Sequence, residues 1–90
     1  QALVLSPGGA DILYNLAVVE MESGSLSVAL SRARATVALK PDQPDNWNLL
    51  GAVYARMGRR PEAAEALRRA LALDPSLEEA RKNLQAVTRR

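Results

Sequence analysis

Cysteine, histidine and phenylalanine are all missing from the 90 residues, and each gap removes a class of chemistry. Without cysteine there is no disulfide framework and no thiolate metal site. Without histidine, the commonest zinc ligand and the commonest general base are gone together. One tryptophan and two tyrosines leave little to stack on nucleobases, and a net charge of +2 is too weak a field to gather nucleic acid. No apolar run approaches the roughly 20 residues that a bilayer span needs, and the opening residues do not read as a basic-then-apolar signal segment. A chain of this length buries only about 60% of its unfolded surface, so an ordinary globule would be marginal.

What is abundant is alanine, leucine and valine, a helix-forming composition, and it is arranged periodically. Pro7, Pro41 and Pro75 are spaced by 34 residues, as are Leu5, Leu39 and Leu73. Asp11 and Asp45, Leu16 and Leu50, Val19 and Val53, Gly24 and Gly58, Ala29 and Ala63, Arg34 and Arg68, and Ala38 and Ala72 share that spacing. Residues 8–41 laid over 42–75 give nine identities. A period of this length is the mark of a repeat architecture, in which each unit buries its apolar face against the next.

Each unit reads as two helices. Trp47, Leu50, Val53, Tyr54 and Met57 fall on one helical face over 44–57. Gly58 follows where a helix end favours positive φ, and Pro61 suits the first turn of a new helix. Ala63, Ala66, Leu67, Ala70, Leu71 and Leu73 make a second stripe that Asp74-Pro75 ends. The preceding unit repeats the plan over roughly 10–23 and 26–39, with a turn at Gly24-Ser25 and a stop at Lys40-Pro41. Small residues recur in register: Ala17 with Gly51, and Ala29 with Ala63. They predict close packing of antiparallel helices. Ser76 with Glu79 predicts a capping box opening a last helix, whose Leu77, Ala80, Leu84 and Val87 give one apolar stripe against Arg81, Lys82, Gln85 and Arg89.

Trp47, Leu50-Gly51, Tyr54, Gly58, Ala63, Leu67, Ala70 and Pro75 together resemble the signature of the tetratricopeptide repeat family. The first unit resembles it more loosely through Leu13, Leu16, Ala17, Gly24, Ala29 and Pro41, with Glu20, Ala33 and Thr36 where Tyr54, Leu67 and Ala70 stand. The resemblance implies an all-α fold of helical hairpins stacked as a solenoid. It divides the chain into the end of a preceding repeat (1–7), repeats over 8–41 and 42–75, and a capping helix over 76–90. On this reading the chain is the C-terminal piece of a longer, bacterial-type array.

Catalytic groups are not evident. Ser23, Ser25, Ser27 and Ser31 surround a turn with no histidine to activate them. Pro7-Gly8-Gly9 lacks the spacing of a phosphate-binding loop. The arginine pairs at 59–60, 68–69 and 89–90 are interleaved with Glu62 and Glu65, and Glu65 is spaced to pair with Arg69. No enzyme activity, cofactor, metal, nucleic acid or membrane partner is expected.

The family resemblance implies instead a concave groove that takes a peptide or a partner helix. By place in the repeat, its lining is Asp11, Tyr14, Asn15, Val18, Met21 and Glu22; then Asp45, Asn48, Leu49, Ala52 and Arg56; then Lys82, Asn83, Ala86 and Arg89. The groove is predicted to run from an acidic and apolar wall at Tyr14, Val18 and Met21 to a basic end, with Tyr14 and Asn48 facing solvent or ligand. The Lys/Asn/Arg clamp by which some family members hold a terminal carboxylate is not expected. Only Asn15 matches it, and Asp45 and Glu79 put negative charge where its cations would sit. A scaffold for a protein or peptide partner is the leading expectation. Self-assembly, and a repeat segment of a larger enzyme such as a bacterial glycosyltransferase or kinase, are the alternatives. Lack of cysteine fits cytoplasm and periplasm alike; the cytoplasm is the working expectation.

Overall fold

A computed structural model describes residues 9–89. The residues matching the end of a preceding repeat, and the Pro7-Gly8 turn, lie outside the described residues. Among the described residues five helices follow one another: α1 (Gly9–Glu22), α2 (Leu26–Leu39), α3 (Pro44–Arg56), α4 (Arg60–Leu73) and α5 (Glu78–Thr88). α1 pairs with α2 and α3 with α4 as hairpins, α2 packs on α3, and α4 packs on α5. Among the described residues no helix is long and apolar enough to cross a membrane.

The hairpin turns have the chemistry the repeat requires. Gly24 and Gly58 adopt φ of 91° and 79°, a region costly for residues with a Cβ. In the first turn Ser25 N–H reaches back to the Glu20 carbonyl at 2.8 Å and Gly24 N–H to Met21 at 3.2 Å. The second repeats this with Arg59 to Tyr54 at 2.9 Å and Gly58 to Ala55 at 3.1 Å. Both are Schellman closures, which satisfy carbonyls a helix end would otherwise leave orphaned. Pro44 and Pro61 sit in the first turns of α3 and α4, where a missing N–H costs nothing.

Small residues set the helix spacing, as their register predicts. Ala17, Ala29 and Ala63 are fully buried, and Gly51 lies against α4. A Cβ built on Gly51 would stand 2.6 Å from Leu67 Cγ and 3.3 Å from the Ala63 carbonyl oxygen. One core joins Ala17, Met21, Ala29, Ala33, Leu49, Leu50, Val53 and Ala66; the other joins Ala63, Ala64, Leu67, Ala70, Ala80 and Val87.

The joints between repeats are held by side chains that reach backbone carbonyls. Asn46, buried in the first turn of α3, donates through Nδ2 to the carbonyls of Thr36 at 3.3 Å and Lys40 at 3.2 Å. Trp47 Nε1 donates to the Pro41 carbonyl at 2.7 Å, and the Arg69 guanidinium lies over the indole at 5.0 Å from its centre. One repeat later, Arg81 Nη2 donates to the Pro75 carbonyl at 3.0 Å. Arg81 and Pro75 each stand 34 residues beyond Trp47 and Pro41, so an indole and a guanidinium make the same latch.

One sequence expectation, the capping box, is corrected. The capping box at Ser76 and Glu79 does not form: α5 begins at Glu78 with Leu77 at its cap and no side-chain cap bond. The Asp74 carboxylate accepts instead from the Ser76 N–H at 3.0 Å and its hydroxyl at 2.7 Å, a local charged acceptor that outcompetes the helix end. The stripe of the first unit is also not covered like that of the second. Leu16 and Val19 are 40% and 62% exposed, whereas Leu50 and Val53 are 7% and 0% exposed.

Candidate functional site

One face of the solenoid is built from α1, α3 and α5. Because helix side chains recur every three to four residues, Tyr14, Val18 and Glu22 from α1 line up beside Asn48 and Ala52 from α3. Together with Asn15, Val19, Met21, Leu49 and Glu79 they surround an open cavity of about 590 Å³. Tyr14 also lines a second cavity of about 310 Å³ with Ala10, Asp11, Lys40, Gln43, Asp45 and Asn46. Tyr14 stands between the two hollows as a wall common to both, and together they make up the trough on this face.

Its floor is apolar and its rim acidic. Tyr14 and Val18 are half-buried against the core beneath. Burial first, and then the carboxylates of Asp45 and Glu79, hold the Tyr14 phenol above the ordinary tyrosine range. Near neutral pH its hydroxyl is therefore a protonated donor at the centre of the trough. Among the described residues no group of three or more acidic side chains converges as a metal site would need; the carboxylates are spread along the rim.

The predicted lining divides into three parts. Asp11, Tyr14, Asn15, Val18, Glu22, Asp45 and Ala52 border the two hollows with accessible surface. Met21, Asn48 and Leu49 border the larger one but are 8%, 5% and 3% exposed. Asn48 thus does not face open solvent: it borders the larger hollow while its Oδ1 accepts from Asn83 Nδ2 at 3.1 Å, which ties α3 to α5. Leu49 and Met21 belong to the core. Arg56, Lys82, Ala86 and Arg89 border neither hollow, so the predicted basic end is not part of this trough. The Arg89 carbonyl accepts from Arg60 Nη1 at 3.3 Å, at the far end of α5.

Several residues that shape the site were missing from the predicted lining. Glu79, read both as a capping residue and as negative charge at a clamp position, enters the cavity wall. Gln43 and Lys40, in the inter-repeat turn, close one end. Glu20, noted only as a departure from Tyr54, accepts from Arg32 Nε at 2.6 Å and ties α1 to α2 behind the trough. The signal for that pair was present: Arg32 replaces Ala66 where Glu20 replaces Tyr54, both shifted by one period.

Helical hairpins stacked in register, with small residues at the crossings and glycine-closed turns, define the class of helical-repeat solenoids. Within it, residues 44–77 match the family model described as tetratricopeptide repeat, so the chain carries that repeat. It is 36% identical over 77 residues to the Hsp70-Hsp90 organizing protein of Triticum aestivum, and 34% identical over 74 residues to the peroxisomal targeting signal receptor of Eremothecium gossypii. Those alignments cover 86% and 82% of this chain but 13% of each relative. It is also 29% identical over 72 residues to the cellulose synthase operon protein C of Pseudomonas fluorescens, covering 80% of this chain and 6% of that protein. The solved structure of MamA superposes with a TM-score of 0.81 at 23% identity, over 87% of this chain and 46% of that one, a likeness of fold.

Proposed function

We propose that this protein is an interaction scaffold whose trough between α1, α3 and α5 receives a peptide or helix from another protein. The observation that carries the reading is the trough: an open cavity of about 590 Å³ with an apolar floor at Val18 and Ala52 and polar groups around it, the composition of a site that anchors a side chain and fixes its direction. The relatives' names point the same way, one an organizing protein and another a targeting-signal receptor. The test is selection from a random peptide display library on the purified protein, followed by measurement of the selected peptides against Ala52→Trp, which fills the trough. Binding lost in that variant at unchanged melting temperature supports the reading; binding retained puts the site elsewhere.

A second reading, self-association, draws on the flank of α1 that adjoins the trough at Val19. Ile12, Leu16 and Val19 leave a row of exposed aliphatic side chains there, a patch of the kind that favours association. Light scattering across a wide concentration range separates the two. A mass fixed at that of the 9.7 kDa monomer rules self-association out, and a mass that rises with concentration supports it.

A further inference from the structure

The occupant of the trough can be narrowed by charge, an inference that rests on the scaffold reading above. The chain carries a net charge of +2, yet the two hollows on either side of Tyr14 both have the opposite sign. Glu22 and Glu79 line the larger and Asp11 and Asp45 the smaller, against a single cation, Lys40. Four carboxylates facing one ammonium leave the trough at −3. Among the described residues the ion pairs are Arg32–Glu20, Arg69–Glu65 and Arg81–Glu78, so none of these four carboxylates is paired with a described cation. Apart from Lys40, the described cations lie outside the linings of the two hollows, which are acidic concavities on a basic molecule.

Geometry and charge act on the same ligand. The apolar floor at Tyr14, Val18 and Ala52 takes a side chain without charge, and acidic groups flank it on the α1, α3 and α5 sides. Low-dielectric walls concentrate the field of such a rim, and at physiological salt it reaches about 8 Å, enough to cover a bound segment. Like charges would be repelled over the same range. We infer that the trough selects a basic segment of a partner protein, with lysine or arginine flanking one or two large apolar anchors, and rejects acidic ones.

The probes are two fluorescein-labelled synthetic peptides with identical leucine anchors, one carrying lysine and the other glutamate at the intervening positions. Anisotropy titration of the wild-type protein should give at least about tenfold tighter binding of the lysine peptide, a gap of about 1.4 kcal/mol, which narrows as salt is raised. Asp45→Lys with Glu79→Lys, checked for an unchanged melting curve, should remove or invert the preference. Single Asp45→Asn and Glu79→Gln variants give graded losses where the reversed pair does not fold. Equal binding of both peptides, abolished by Ala52→Trp, overturns the charge selection while leaving the scaffold reading intact. A lysine preference that survives all the charge variants and Ala52→Trp overturns both, since attraction then lies off the trough. Failure of the wild-type protein to bind either probe, when library peptides do bind in the trough, also overturns the charge selection.

Discussion

The two hairpins share a plan and solve it with different atoms. In the second, Gly51 gives up its side chain so that Leu67 can lie against α3. In the first the equivalent pair is Ala17 and Ala33, both fully buried. A methyl facing a methyl does the work of a bare backbone facing an isobutyl group. The same exchange recurs one turn away, where Tyr54 beside Ala66 becomes Glu20 paired to Arg32. Thr36, standing for Ala70, keeps its buried hydroxyl satisfied by donating to the Ala33 carbonyl at 2.7 Å. The lesson is that facing positions change together at these crossings, each residue suiting the one opposite it.

That account can be broken in the second hairpin first. Leu67→Ala removes a fully buried side chain and is expected to cost about 2–5 kcal/mol, read as a fall in midpoint on urea unfolding. Adding Gly51→Ala turns the crossing into a copy of the first hairpin's. The double variant should be more stable than Leu67→Ala alone, because the new methyl occupies vacated space. Gly51→Ala that is as harmful with Leu67→Ala as without it would end the exchange argument. Gly51→Leu alone, with no room at 2.6 Å, should cost about 1–3 kcal/mol by overpacking; an unchanged melting temperature would contradict the contact.

A smaller effect tests the polar pair of the first hairpin. Arg32→Ala strands a carboxylate whose side chain is 19% exposed and should cost about 1 kcal/mol. Glu20→Tyr with Arg32→Ala rebuilds the second hairpin's solution and should recover most of that loss. If the two changes simply add in a double-mutant cycle, the residues are not exchanging as a unit.

The smallest effect concerns Tyr14. Its pKa is raised by burial and by Asp45 and Glu79, so the fold favours the neutral phenol. The stability this gives is fully present below the unfolded tyrosine value of about 10 and is lost as pH rises through the higher folded value. In a Tyr54→Phe background, phenolate absorbance should appear above the ordinary tyrosine range, and Asp45→Asn should bring it part of the way back. A titration at the free-tyrosine value would place Tyr14 away from both carboxylates.

Local chemistry made the fold legible in advance. Helix limits, the positive-φ glycines and the small residues at the crossings each follow from a residue and its near neighbours, and the 34-residue period marks every one of them twice. The trough was legible only as a face. Tyr14, Val18 and Ala52 fell on it by helical periodicity, but the burial of Asn48 depends on Asn83 meeting it from another helix, a contact no period states. Asn46 was missed for the same reason, since its partners are the carbonyls of Thr36 and Lys40 across a turn. Glu79 was placed on the groove by register, but its capping role failed because the nearer carboxylate of Asp74 took the Ser76 hydroxyl.

The donor that Trp47 and Arg81 each extend to a proline carbonyl has a consequence for how such chains diverge. The joint asks only for an N–H at the end of a long flat group, and an aromatic and a cation meet that specification equally. A position of this kind is free to drift between greasy and charged without altering the pitch of the solenoid. Successive units can therefore repaint their outer surface while the scaffold beneath stays in step.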